Sequence, residues 1–395
     1  MPTLHMPKLK VLDLTPAALG YSFPAEWAPH AATWFSWPRP EGISFPDKYH
    51  TVPENLARII ATIAPREQVH INVPNGNYVR IVGEQLKGHG CPLRNVFFHQ
   101  IKTNESWCRD HGPAFVLRAK PGQRKMRTRS DKYPKMEAAI VDWGFNAWGG
   151  KYPPYGDDDA VPTRIAEEFK LPVFYPRDTK GGLGAGPVRT SDGVEHPACV
   201  VMEGGAVDFN GAGVVLTTEQ CLLNKNRNPK LSKKDVERYL RDFYGQSHVL
   251  WLGEGIVGDD TDGHVDDLAR FLDERTICVA VEDDPKDENY KILQENLRRV
   301  KKLKDRDGRP FDVVEIPMPG VVEFDGQRLP ATYVNFYFVN GALLVPTYRN
   351  KRNDRKAIET LQKALPGREV IGIDCTELIW GLGAIHCLTQ QQPKF

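Results

Sequence analysis

The chain has 395 residues, 41% of them hydrophobic and 26% charged, and a formal net charge of +1. That balance fits an ordinary globular enzyme and gives no global field for nucleic acid or a membrane surface, so neither is expected as a partner. Seven scattered cysteines without a Cys-x-x-Cys pair argue against a disulfide framework or a zinc site, and no apolar run approaches the ~20 residues that span a bilayer.

Met1–Gly20 carry a broken apolar pattern with Lys8, Lys10 and Asp13 inside it, so no signal segment is read there and a reducing cytoplasm is the expected setting. Strands are then predicted at Gln68–Val73, Asn95–Gln100, Ala114–Leu117, Ala138–Trp143, Cys199–Met202, Val207–Phe209 and Val214–Leu216. They continue at His248–Leu252, Leu268–Leu272, Thr276–Val281, Val313–Ile316, Val334–Val339 and Ala342–Pro346. Helices are predicted at Val52–Ile63, Asn77–Lys87, Thr163–Phe169, Ser232–Phe243, Asp287–Lys302 and Asp354–Leu365. In the fourth of these, Val236, Tyr239, Leu240 and Phe243 recur at helical spacing, and Ser232 with Asp235 resembles a capping box. This alternation is too strand-rich for a doubly wound sheet and too helical for a sandwich. Five units of about 79 residues would each hold a strand–strand–helix–strand element, although no clean internal repeat is visible. Two stretches read as loop insertions: the basic run 118–135 and the Gly-rich run 177–197.

Four places carry the chemistry. Cys387 follows Gly381-Leu382-Gly383-Ala384-Ile385-His386, where glycines let the backbone approach a ligand, and a polar tail follows it. That setting suits a nucleophile. The acidic run Gly258–Asp267 lacks the ligand positions of a calcium loop and reads instead as a turn into a strand, with His264 and Asp266 on one face. A metal held by His264 and Asp266 finds no further His or Cys nearby in sequence, so no metal ligand is assigned. Asp110 lies in the polar loop Asn104–Pro113, where a structural ion pair with Arg109 is the commoner arrangement. Glu203 ends an apolar strand at Gly204-Gly205 and must reach solvent or hold a cationic group. Together these groups suit attack on a planar cation. Asp110 and Asp266 would clamp a guanidinium through paired N–H bonds, Cys387 would attack its carbon, His264 would protonate the leaving ammonia, and Glu203 would orient His264.

The chain resembles the agmatine deiminases of the guanidine-modifying superfamily. The likeness runs through Pro24–Trp27, Thr33–Pro38, Trp107–Pro113, Phe145–Tyr152, Glu203–Gly205, Leu216–Glu219, Asn226–Pro229, Gly258–Asp266, Tyr333–Tyr337 and Ile385-His386-Cys387. It implies an α/β fold, a fivefold pseudosymmetric β/α-propeller of the pentein type, formed by residues 1–395 as a single domain. It implies hydrolysis of agmatine to N-carbamoylputrescine and ammonia through a thiouronium intermediate, with no cofactor. Cys387 is then the nucleophile, His264 the acid and base, Glu203 its partner, Asp110 and Asp266 the clamps, and Trp107 a substrate-contacting aromatic. The expected partner is a small cationic guanidine; a homo-oligomer is left open. The family usually reads Gly-Gly-Gly-Asn-Ile-His-Cys at its carboxyl end, whereas Leu382 and Ala384 here replace a glycine and the asparagine. Those changes leave as alternatives the same chemistry on arginine, another small guanidine or peptidyl arginine, or a silent scaffold of the same fold.

Overall fold

A computed structural model describes residues 9–45, 49–120, 135–177 and 188–395. Most of the basic run 118–135 and the glycine cluster within 177–197 lie outside those residues. Past the latter, Val188–Arg189 and Glu195–His196 pair as a short antiparallel ribbon.

Five sheets repeat one order, an outer strand antiparallel to a central strand that is itself parallel to a third. Four follow the chain directly. They are Ala114–Ala119, Met136–Val141 and Val173–Phe174; Val207–Phe209, Val214–Thr218 and His248–Leu252; Ala269–Phe271, Thr276–Val281 and Asp312–Pro317; and Tyr337–Val339, Ala342–Thr347 and Glu369–Asp374. The fifth joins the chain's ends: Gln390–Pro393 pairs antiparallel with His30–Ser36, which runs parallel to Gln68–Asn72, and that to Val96–His99. Parallel neighbours need a crossover, and a helix supplies it each time: Val52–Ile63, Gly76–Gly88, Val161–Phe169, Lys233–Tyr244, Tyr290–Val300 and Lys351–Ala364.

Local chemistry sets the helix limits. Ser232 and Asp235 form the expected reciprocal cap, and Gly245 closes the same helix in the left-handed region at φ 72°. Val236, Tyr239, Leu240 and Tyr244 are buried there, while Phe243 is only half-buried. Asn75 accepts from the amides of Asn77 and Tyr78 to open the Gly76–Gly88 helix.

The strands depart from expectation in several places, and Val173–Phe174 and Glu369–Asp374 are two that the sequence pattern does not predict. Cys199–Met202 is not a strand but two isolated bridges, Cys199 to Arg177 and Val201 to Gly144, because Asn228 takes both backbone groups of Val201. The strand His30–Ser36 was not expected, nor was Gln390–Pro393, whose glutamines look like a solvated tail. All three glutamines are buried because each amide has a partner: Gln392 accepts from Trp34 Nε1 at 2.8 Å, Gln391 from Arg109 at 2.7 Å, and Gln390 donates to the Pro113 carbonyl at 2.9 Å.

Glu26 anchors a buried charge network against this edge. Its Oε2 accepts from Arg270 at 2.9 Å and Arg109 at 3.3 Å and pairs with His386 Nε2 at 2.7 Å, while Oε1 accepts the Phe338 amide at 2.9 Å. Burial alone would raise its pKa, but Arg270, His386 and Arg109 outweigh that and hold the carboxyl well below its ordinary value. Glu26→Ala strands two guanidinium groups and an imidazole away from water. It is expected to destabilise the fold by about 3–5 kcal/mol in urea unfolding, since removing one partner of a buried pair has that cost.

Candidate active site

The carboxyl-terminal motif folds so that Cys387 sits in a four-residue helix, Ile385–Leu388, behind an unusual turn. Leu382 occupies the left-handed region at φ 67°, a conformation that costs a non-glycine residue ~1–2 kcal/mol, and its side chain lines the adjoining cavity. Gly383 admits the ring of Trp107. A Cβ at that position would lie 2.5 Å from Trp107 Cζ3 and 3.0 Å from Cys387 Cβ. Trp107 in turn donates from Nε1 to Ser44 Oγ at 2.7 Å.

The Cys387 thiol is held between an amide and a carboxylate. Asn335 Nδ2 donates to Sγ at 3.1 Å and to Asp267 Oδ1 at 3.0 Å, and Asp266 Oδ2 stands 3.8 Å from Sγ. Burial, then the carboxylates Asp266, Asp267 and Asp110, push the thiol pKa well above its ordinary value. Asp266 is fixed from behind by His386, whose Nδ1 lies 2.6 Å from Oδ2. Burial opposes ionisation of Asp266, but His386 and His264 outweigh it and lower the pKa.

Asp110 does not pair with Arg109, whose guanidinium turns to Glu26, Gln391 and the His386 carbonyl. The one-turn helix Cys108–His111 sends the two side chains apart. Asp110 Oδ1 instead accepts the Gly205 amide at 3.0 Å, and Oδ2 accepts Trp148 Nε1 at 2.9 Å. Trp148 reaches it from a run of left-handed backbone at Ala147, Trp148, Gly149 and Gly150, strain of the kind that collects at functional sites. Burial and Asp266 raise the Asp110 pKa, with His264 opposing.

His264 is not on a strand. It precedes a short 3-10 turn, Val265–Asp267, because Asp259 gathers the amides of Thr261, Gly263 and His264 and winds the loop around itself. Its Nδ1 lies 3.8 Å from Asp110 Oδ1 and 4.0 Å from Asp266 Oδ1. Burial would lower the imidazole pKa, yet Asp110, Cys221 and Asp266 together carry it well above 6.5. Gly205 passes directly in front of this group: a Cβ there would lie 2.5 Å from His264 Nδ1, 2.9 Å from Asp110 Oδ1 and 3.1 Å from Asp266 Oδ2.

Glu203 is fully buried, and its Oε1 accepts Arg227 Nε at 2.8 Å. Its hold on His264 is by proximity: a carboxylate oxygen, an imidazole nitrogen and the Cys221 sulfur lie within 4.8 Å of one another.

These residues stand at the end of a cavity of about 300 Å³. Trp107, Asp110 and Cys387 form part of its wall, with Asp266 Oδ2 3.8 Å from the Cys387 sulfur and His264 Nδ1 3.8 Å from Asp110 Oδ1. Trp148, Tyr152, Phe324, Trp380 and Leu382 make the sides, with Phe324 stacked on Trp380 at 4.7 Å. Among the described residues lining it, Asp110, Asp260 and Asp325 are acidic, and no Lys or Arg is present. Glu26, Asn335, His386, Arg227 and Cys221 have no role assigned from sequence, although all but Cys221 fall within the stretches that carry the family likeness.

A model of the Porphyromonas-type peptidyl-arginine deiminase family matches residues 22–393. The chain belongs to that family. An agmatine deiminase of Medicago truncatula is 33% identical over 97% of this chain and 99% of its own length. An Enterococcus faecalis structure described as agmatine deiminase catalyzing its reaction superposes with a TM-score of 0.81 at 29% identity, covering 98% of this chain and 100% of that one. A cysteine-to-serine form of the C. jejuni agmatine deiminase with substrate bound gives 0.77 at 30% identity, covering 95% and 96%. Family membership makes the chain a hydrolase of the guanidine-deiminase kind with an α/β fold. No helix among the described residues is long and apolar enough to cross a membrane.

Proposed function

We propose that the protein hydrolyses agmatine to N-carbamoylputrescine and ammonia. One observation carries the choice of substrate: a thiol opens onto a cavity whose described lining has three carboxylates and no cationic side chain. Agmatine carries a guanidinium at one end and an ammonium at the other, and both suit that lining. Arginine would bring an α-carboxylate with nothing there to receive it. The agmatine deiminases among the relatives support the same choice.

In this reading Asp110 and Asp266 hold the guanidinium, with Trp107 along the aliphatic chain. As the cation binds, the Cys387 S–H bond breaks and its proton leaves to solvent; Sγ then bonds to the central carbon, and His264 gives a proton to the departing nitrogen, which leaves as ammonia. The remaining thiouronium takes up water, His264 accepts the water's proton, and the C–S bond breaks to release the ureido product. Asp110, Cys221 and Asp266 keep the imidazole charged for the first step, and Glu203 stands beside it. The repeated strand order supports closure of the five sheets into one fivefold propeller around this centre. Seven buried free cysteines suit a reducing cytoplasm.

The test is a panel: ureido product from agmatine, arginine and a blocked arginine peptide. Turnover of agmatine well above the other two is expected, and turnover of either in preference to agmatine would reject the substrate assignment.

The empty site also has a testable charge state. Each carboxylate near the sulfur disfavours a thiolate by up to ~4 kcal/mol at 4 Å with an effective dielectric of 20. Cys387 is therefore a neutral thiol near pH 7 until a cation arrives. A neutral haloacetamide should alkylate it slowly and faster as pH rises. A cationic haloamidine should react about tenfold faster or more near pH 7, because its charge offsets the carboxylates. Equal rates would contradict this.

A further inference from the structure

Among the described residues, Glu203, Cys221 and His264 alone bring metal-ligand atoms within 4.8 Å of one another as a His/Cys/carboxylate trio. All three are buried, at 0%, 0% and 1% exposure. Two atoms of the trio have no partner in hydrogen-bond geometry: Glu203 Oε2 and His264 Nε2. Arg227 holds the other Glu203 oxygen at 2.8 Å and so fixes the carboxylate with Oε2 free. Proton transfer by His264 uses one imidazole nitrogen and leaves Glu203 Oε2 and the Cys221 sulfur close enough to share an ion with it.

Thiolate, imidazole and carboxylate together form a ligand set that selects Zn2+ over harder ions. Ligands at about 2.0–2.3 Å from a tetrahedral Zn2+ lie about 3.3–3.8 Å apart, so the trio closes on an ion by side-chain shifts of about 1 Å. We propose that Glu203, Cys221 and His264 form an inhibitory Zn2+ site. Zn–S, Zn–N and Zn–O bonds form, the Cys221 S–H bond and the N–H bond of the charged His264 break, and both protons leave to solvent; no electron is transferred. The captured imidazole then cannot deliver a proton to the leaving nitrogen, and a chelator restores it.

Two readouts separate this site from Zn2+ captured by the nucleophile. Co2+ serves as a spectroscopic probe, since a thiolate ligand gives it an intense near-ultraviolet charge-transfer band. The band is expected in wild type and in Cys387→Ser and absent in Cys221→Ser, with Cys221→Ala as a second variant should serine disturb folding. This arm does not depend on which guanidine is turned over. In the activity arm, Cys221→Ser should raise the inhibitory Zn2+ concentration by more than about 100-fold, because losing even an outer partner of a metal ligand costs about 10- to 100-fold. A band that persists in both Cys221 variants and vanishes in Cys387→Ser, or no band in wild type, would overturn the proposal.

Discussion

Cys387→Ala should lower kcat/KM for agmatine by at least about 10⁴-fold while leaving the thermal transition nearly unmoved. The sulfur makes its polar contacts with Asn335 at 3.1 Å and Asp266 at 3.8 Å, and alanine gives up only those weak contacts. Asp266 keeps its bond to His386, so no buried charge loses its main partner. Chemistry is thus separated from stability at this position. Cys387→Ser should fail nearly as badly. Its hydroxyl ionises far less readily than a thiol, and the same carboxylates disfavour its anion as well. Activity within tenfold of wild type in either variant would remove the thiol from the reaction.

Gly205→Ala should cost about 100-fold in kcat, with the protein still folded. The glycine amide holds Asp110 Oδ1 at 3.0 Å, and an added methyl would press on His264 Nδ1, Asp110 and Asp266 at once. Three groups forced apart by ångström-scale shifts lose the alignment on which the clamp and the proton transfer depend, and misplacement on that scale costs about 10²-fold. The neighbouring Gly204 gives a contrast. There a Cβ would strike the Arg109 carbonyl at 2.1 Å, so Gly204→Ala should damage folding first. Kinetics for Gly205→Ala indistinguishable from wild type would mean that the three side chains do not work as one unit.

Groups whose chemistry is conspicuous beside a glycine or a turn were legible in sequence: Cys387 after Gly383, Glu203 before Gly204-Gly205, and Asp110 in its polar loop. Period-two reasoning misplaced His264, because Asp259 draws three amides into a loop where alternation predicts a strand. The second layer was invisible. Glu26 meets His386 across 360 residues, and Cys221 meets His264 from the short helix Glu219–Leu222. The first contact depends on the pairing of Gln390–Pro393 with His30–Ser36, and neither leaves a periodic trace. The same holds for the three buried glutamines, whose polarity suggests solvent until their partners are seen.

Acid-quenching wild-type enzyme during agmatine turnover, followed by mass analysis of the peptide that contains Cys387, tests the covalent step most directly. An adduct equal to agmatine less ammonia on that sulfur is the predicted result, absent from Cys387→Ala. Rapid turnover with the Cys387 peptide unmodified at every quench time, or the adduct on a different residue, would contradict it.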